Sequence, residues 1–371
     1  MNLRPANPRL RRLLPLTVAA AVGIGVGAGT YALTTSGSGT PATTKVVVPA
    51  QPASSTSTVE SLTQLYKKDA PGVVDITVES TSSGGTPNGF PFGAPQGQQK
   101  TQAEGSGFVI DTKGNILTAE HVVENATSVT VTFQDGSTAK ATVVGTDKST
   151  DTAVIHVDVS SSKLHPLALG DSSTVQPGQS VVAIGSPFGL PETMTAGIVS
   201  AADRTITAPN QFSITGAIQT DAAINHGNSG GPLIDAATNT VIGINDQIES
   251  DTNDNSGVGF AVPINSAKSV AQTLIAGGTV KHAYVGVKIK DVSGGAEITT
   301  IVKNSPAAKA GLKVGDVVTA FDGKSIKSAD DLTGAVFHAK SGETVTVTVR
   351  RQGATKQISV TLGVQPTSPS S

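Results

Sequence analysis

From residue 73 onward the chain advances in short apolar runs broken by turn residues. Val73–Val78, Gly105–Ile110, Ile116–Ala119, Val129–Phe133, Ala139–Val144 and Asp151–Val157 are such runs, with Asp111–Asn115 and Asp135-Gly136 as turns between them. Runs of this length, several alternating apolar with polar, fit half-buried strands joined by hairpins. The 41 glycines, the abundance of Thr, Ser and Val, and only 3% aromatic residues suit turn-rich β-barrels better than helical bundles. Helical spacing occurs at Val59–Ala70, ending before Pro71, and at Ser266–Ala276. Residues 81–103, rich in Gly, Pro, Gln and Ser, read as a long exposed loop. The 371 residues suffice for two domains and additional segments.

Composition excludes several classes. Charged residues make up 15% and the net charge is −2, so there is no basic surplus for nucleic acid. With no cysteine there is no disulfide framework, no Cys-ligated zinc and no cysteine nucleophile. Location rests on the amino terminus. Residues 1–12 form a basic segment with Arg4, Arg9, Arg11 and Arg12, and residues 13–33 form an uncharged run of 21 residues. A helix of that length rises about 30 Å, the thickness of a hydrocarbon core. The arginines favour an inside amino terminus, which puts the remainder outside the cytoplasm. The expectation is a transmembrane anchor, with cleavage near Ala28 as the alternative, since glycines at 23, 25, 27 and 29 weaken the helix. Residues 34–58, almost uncharged Thr, Ser, Pro, Gly and Ala, read as a flexible tether.

Gly227-Asn228-Ser229-Gly230-Gly231-Pro232 places a hydroxyl between glycines. Gly227 lets the chain turn so that its own N–H and that of Ser229 point at one spot, a nucleophile with an anion hole beside it. Alone, the stretch is also compatible with a surface turn. His121, at the end of the Ile116–Ala119 run, and Asp151, before another run, are individually weak signals as well. Their order is informative: His, Asp and Ser at separations of 30 and 78 residues allow the first two to come from one small barrel and the serine from a second.

On these residues the chain resembles the trypsin-like serine proteases and, within them, the HtrA (DegP-like) family. The matching stretches are Gly105-Ser106-Gly107-Phe108, Leu117–Val122, Asp151–Val154, Val182–Gly189, Gly197–Ser200, Ile218–Asp235 and Gly259–Pro263. The resemblance implies a mainly β chain: two six-stranded barrels over residues 59–278, then a PDZ domain over 279–366 and a tail at 367–371. The PDZ expectation rests on Tyr284-Val285-Gly286-Val287, Asn304–Leu312 and Gly315–Val318. The resemblance also implies Ser229 as nucleophile, His121 as general base and Asp151 as its orienter, with Gly227, Asn228 and Ser229 around the oxyanion. Imidazole titrates near neutrality, so it can take the hydroxyl proton and pass it to the leaving amine.

Other positions follow from the same resemblance. Ala223 lies at the pocket bottom and offers no carboxylate for Lys or Arg; with Ile224, Ile244 and Asn245 it implies a shallow apolar pocket for Val, Ala or Leu. His226, where the family usually has Pro, is a departure and a weak rival base. Asn228 cannot pair with a newly cut ammonium, so control is expected from loops: Asp203–Phe212, with Arg204 as a sensor, and Asp246–Ser256. The acidic residues of the latter (Asp246, Glu249, Asp251, Asp254) lack the Gly and terminal Glu of a calcium loop and read as solvated. No metal and no cofactor is expected. Gly286 should let N–H groups approach a peptide carboxylate while the adjoining strand edge pairs with the peptide. The expected whole is a membrane-anchored, extracytoplasmic bacterial serine endopeptidase acting on unfolded proteins, oligomeric (usually trimeric in the family), with peptide C-termini as PDZ partners. The alternative is a peptide-binding chaperone or scaffold with an idle protease domain.

Overall fold

A computed structural model describes residues 61–82, 99–185, 193–207, 212–225, 227–246 and 257–366. The anchor at 13–33, the tether, His226 and most of the acidic loop lie outside them. Among the described residues no helix is long and apolar enough to cross a membrane.

The first helix, α1 (Leu62–Asp69), starts at a reciprocal cap: the Ser61 side chain accepts from the Gln64 N–H and the Gln64 side chain accepts from the Ser61 N–H. Pro71 sits in the 3-10 turn that follows, and Val73 then opens the sheet. Strands β1 (Val73–Ser82), β2 (Gln99–Val109), β3 (Asn115–Ala119), β4 (Ser128–Thr132), β5 (Thr138–Asp147) and β6 (Thr152–Val157) close into one barrel in the order β1-β2-β3-β6-β5-β4. Strands β7 (Ser180–Gly185), β8 (Thr193–Thr207), β9 (Ser213–Thr220), β10 (Pro232–Asp235), β11 (Thr240–Asp246) and β12 (Gly259–Pro263) close into a second, in the order β10-β11-β12-β9-β8-β7. Both six-stranded barrels were expected. The strands run further than the apolar runs suggest: β2 begins inside the predicted 81–103 loop, because Gln99–Ala103 pair with Val78–Ser82.

Each barrel has an apolar interior, one around Ile76, Ile116 and Ile155, the other around Val181, Ile218 and Leu233. A further cluster crosses between them, joining Phe108, Leu117 and Val154 to Val182, Ile184 and Ile244. Helix α3 (Ile264–Ile275) adds Ile264, Ala267, Val270, Ala271 and Leu274 to it from one face. This shared core fixes one barrel against the other, so side chains at the seam hold a set geometry.

The carboxy-terminal module has its own core around Ile298, Phe321, Val347 and Val360. Strands β13 (Ala283–Tyr284) and β20 (Gly363–Val364) pair with each other. Strands β14 (Val287–Val292), β15 (Gly295–Ile301), β16 (Val317–Phe321), β17 (Lys324–Ser325), β18 (Thr344–Arg351) and β19 (Ala354–Thr361) form a second sheet. Two short helices, α4 (Pro306–Ala310) and α5 (Ala329–Phe337), complete it.

Candidate active site

One residue of the site follows β3 and another precedes β6. Ala119 and Thr152 are cross-strand partners, so the chain just beyond one and just before the other must meet. His121 is there, on the single-turn helix α2 (Glu120–Val123), and so is Asp151, in the left-handed region at φ 47°. Asp151 is fully buried. One carboxylate oxygen accepts the His121 backbone N–H at 2.9 Å and the other lies 2.6 Å from the imidazole Nδ1. A carboxylate at Nδ1 holds the ring proton there and leaves Nε2 as the acceptor. Burial lowers the imidazole's affinity for a proton. The Asp151 hydrogen bond and charge outweigh it and raise the pKa above 6.5; with Asp246 and Glu120 charged as well it reaches about 9.

The second barrel brings Ser229 to the same place, on the turn before β10. Gly227 (φ 99°) and Gly230 (φ 86°) adopt backbone conformations that disfavour a side chain. The turn is tied across the seam: the Ser106 N–H donates to the Ser229 carbonyl at 2.8 Å and the Ser106 hydroxyl to the Gly227 carbonyl at 2.6 Å. The Gly230 N–H donates to the Asn245 carbonyl at 2.8 Å. Close approach explains Gly105 as well. A Cβ there would lie 2.6 Å from Val122 and 3.3 Å from the Ser229 carbonyl oxygen, so the serine turn and α2 flank it.

The N–H of Asn228 donates to the Asn225 carbonyl at 3.0 Å. It is therefore spent, and of the three residues expected around the oxyanion only Gly227 and Ser229 are left as donors. The Asn228 side chain is buried and donates to the Ala223 carbonyl at 3.1 Å.

In the carboxy-terminal module Gly286 (φ 83°) turns the Tyr284–Val287 loop tightly: a Cβ would lie 2.3 Å from the Ser305 Cβ. The carbonyls of Val285 and Gly286 accept the N–H groups of Ala307 and Val302, both at 2.9 Å. A groove of about 440 Å³ runs between this loop, β14 and α5, with Ile289, Leu332 and Val336 in its apolar wall.

The trypsin-like peptidase domain family matches residues 105–244, and the PDZ domain family matches residues 283–362. A probable periplasmic serine endoprotease, DegP-like, of Marinomonas sp. (strain MWYL1) is 39% identical over 343 residues, covering 83% of this chain and 72% of the relative. This chain belongs to the DegP-like, or HtrA-type, family of serine endoproteases. A second relative of the same description, from Pseudomonas savastanoi pv. phaseolicola, is 40% identical over 294 residues, 76% of this chain and 60% of that protein. Among solved structures, the HtrA-type protease AlgW with a decapeptide has a TM-score of 0.68 at 30% identity, covering 82% of this chain and 99% of that one. The serine endoprotease from Yersinia pestis has a TM-score of 0.61 at 30% identity, with 82% and 98% covered. The chain is thus a serine endopeptidase by family.

Within this HtrA-type frame several expected positions lie elsewhere than their sequence suggests. Arg204 is not on a loop: it is exposed on β8, opposite Ala217 of β9, and only residues 208–211 separate the two strands' described parts. Ala223 and Ile224 do sit beside the serine turn. Ile224 packs with Val199, Ile218 and Ile242. Ile244 and Asn245, by contrast, are wholly buried. Ile244 is part of the inter-barrel core and the Asn245 amide donates to the Pro232 carbonyl at 3.1 Å, so neither offers a surface to substrate.

Asp246 is the residue that the sequence hid. Read as the start of a solvated acidic loop, it is instead the last residue of β11 and fully buried. One of its oxygens lies 3.9 Å from His121 Nδ1. The side-chain ligand atoms of His121, Asp151 and Asp246 all fall within 4.8 Å of one another. Three such groups can hold an ion, but Nδ1 is already engaged by Asp151 at hydrogen-bond distance, which favours a protonic network over a ligand set. Period-two alternation was the available signal, since it places Asp246 on the strand face of Ile242 and Ile244.

Proposed function

We propose that this protein is an envelope quality-control protease that cleaves unfolded proteins, with Ser229 as nucleophile, His121 as general base and Asp151 as its orienter. The observation that carries this reading is the His121–Asp151 pair at 2.6 Å, on the chain segment that packs against the Ser229 turn. His121 takes the Ser229 proton as the hydroxyl attacks a peptide carbonyl, and later delivers it to the leaving amine. The Gly227 and Ser229 N–H groups receive the oxyanion; one such donor is typically worth about 10²–10³ in rate. Ala223 and Ile224 favour small aliphatic side chains at the cut. One methylene in such a pocket is worth about 0.8 kcal/mol, so the preference is modest.

The groove beside Gly286 receives peptide C-termini, a reading supported by the apolar wall and by the peptide-bound state of the AlgW structure. Residues 13–33 anchor the chain in the membrane with both domains outside the cytoplasm, as the arginine-flanked run and the periplasmic description of the relatives support. Arg204 relays groove occupancy to the site, and the working form is a homo-oligomer. The test is cleavage of a denatured protein by the chain from Val59 onward. Ser229→Ala abolishes it; cleavage retained by that variant contradicts the assignment.

A further inference from the structure

Asp151 and Asp246 place two buried carboxyl groups around one imidazole. Both Asp246 oxygens are buried, and among the described residues neither finds a hydrogen-bond donor. The Asp246 carboxyl nonetheless faces that of Asp151, with one oxygen of each and a nitrogen of His121 all within 4.8 Å of one another. Two ionised carboxylates in a dry site repel each other, and one imidazolium between them cannot balance both. A carboxylate without a donor is costly to bury; a carboxylic acid aimed at a carboxylate is not, because its O–H supplies the missing hydrogen bond.

We propose that Asp246 is a positioning residue that remains protonated at neutral pH and donates a hydrogen bond to the Asp151 carboxylate, so that the two share a single negative charge behind His121. The proposal rests on the reading of His121 as the base. In that arrangement Asp151 accepts from three directions: the His121 backbone N–H, the imidazole Nδ1–H and the Asp246 hydroxyl. The pair holds the imidazole in the correct tautomer, while its lone charge avoids binding the imidazole proton too tightly. With both carboxylates charged, His121 would be protonated at neutral pH and unable to accept the Ser229 proton.

The surrounding charges agree. Burial first, then the Asp151 charge, pushes the Asp246 carboxyl well above its ordinary 3.8, and His121 opposes this in part. From α2 the site faces His121 and the buried Glu120, whose carboxylate lies 3.8 Å from Lys148. From the turn before β6 it faces Asp151. β12 carries no charged residue, and β10 carries only Asp235, which pairs with Thr240 at the opposite end of β11. Among the described residues, then, no cation besides His121 is placed to neutralise Asp246.

The test begins with the Ser229→Ala chain, which leaves the pair intact and prevents self-cleavage. Infrared spectroscopy of this protein should show a buried carboxylic-acid carbonyl band at neutral pH that disappears in S229A/D246N. Absence of the band in the S229A chain overturns the proposal without any change at position 246, and does so independently of whether His121 is the base. In the active chain, Asp246→Leu should lower kcat/KM by about 10–100-fold, the loss of one charge-assisted hydrogen bond. Asp246→Asn, whose amide donates to Asp151 in the same way, should recover most of that loss and keep the acid limb of the pH profile within about half a pH unit of the parent. A downward shift of that limb by more than about one unit in D246N would show that Asp246 is ionised, a second counter-charge. Equal profiles and rates in D246N, D246L and the parent would reduce Asp246 to a packing residue. Either result overturns the proposal.

Discussion

His282 Nε2 lies 2.8 Å from a carboxylate oxygen of Asp147, joining the carboxy-terminal module to the end of β5 in the first barrel. Both side chains are nearly buried, and the imidazole stacks on Phe337 of α5 at 5.5 Å. Ser149 adds a hydrogen bond to Gln365 at 3.3 Å. The contact therefore connects α5, one wall of the groove, to the strand pair that leads to Asp151.

Breaking this contact should loosen the module without unfolding either domain. His282→Ala removes one partner of a buried polar pair, at a cost of about 1–3 kcal/mol. Hydrogen exchange at residues 279–285 should accelerate while that of β3 and β6 does not. Unchanged exchange at 279–285 would show that the pair contributes nothing to the docking.

The pH dependence of activity follows from His121. Its raised pKa means that the protonated, inactive form persists to higher pH than in a free imidazole, so the acid limb of kcat/KM should lie above 6.5 and below about 9. The sign for stability is the same: a raised folded-state pKa stabilises fully below 6.5, and that contribution is lost as pH rises through the folded-state value, between 6.5 and about 9. A pH–rate profile measured with a small peptide ending in valine at the cut checks this. A limb below 6.5 would mean that the charges around the ring do not act as described.

Gly230→Ala should be more damaging than most single-methyl additions. A Cβ there would lie 2.2 Å from the Ser106 carbonyl oxygen and 2.3 Å from the Thr118 hydroxyl, at a residue with φ 86°. Strain and overpacking together amount to about 2–4 kcal/mol, and the serine turn must shift to relieve them. Thermal melting and peptide cleavage on the same preparation should both decline. Parent-like activity would contradict the close seam between the barrels.

Chelation should leave the enzyme intact. His121 Nδ1 is bonded to Asp151 rather than available as a ligand, so EDTA followed by gel filtration should not change the cleavage rate. A loss restored by a divalent cation would turn His121, Asp151 and Asp246 into a metal site.

The strands and the serine turn were legible because each depends on local chemistry, alternation and turn glycines; the placing of His121 and Asp151 on one barrel and Ser229 on the other was allowed by their spacing and implied by the family resemblance. Partners distant in sequence were not legible. Asp246 looked solvated because Glu249, Asp251 and Asp254 follow it, yet pairing with Phe260 on β12 holds it inside. The family resemblance puts Arg204 on a regulatory loop, but pairing with β9 extends β8 to Thr207. Ile244 belongs in a pocket wall by the family resemblance; the shared core between the barrels takes it instead. His282, far from any catalytic pattern, acquires its role only when Asp147, 135 residues away, folds against it.

The most direct measurement is covalent labelling with a fluorophosphonate, mapped by mass spectrometry. A single adduct on Ser229, formed by the parent chain and lost in both Ser229→Ala and His121→Ala, is the predicted result. An adduct on another residue, or undiminished labelling of Ser229 without His121, would contradict the account of His121 as the base that activates this serine.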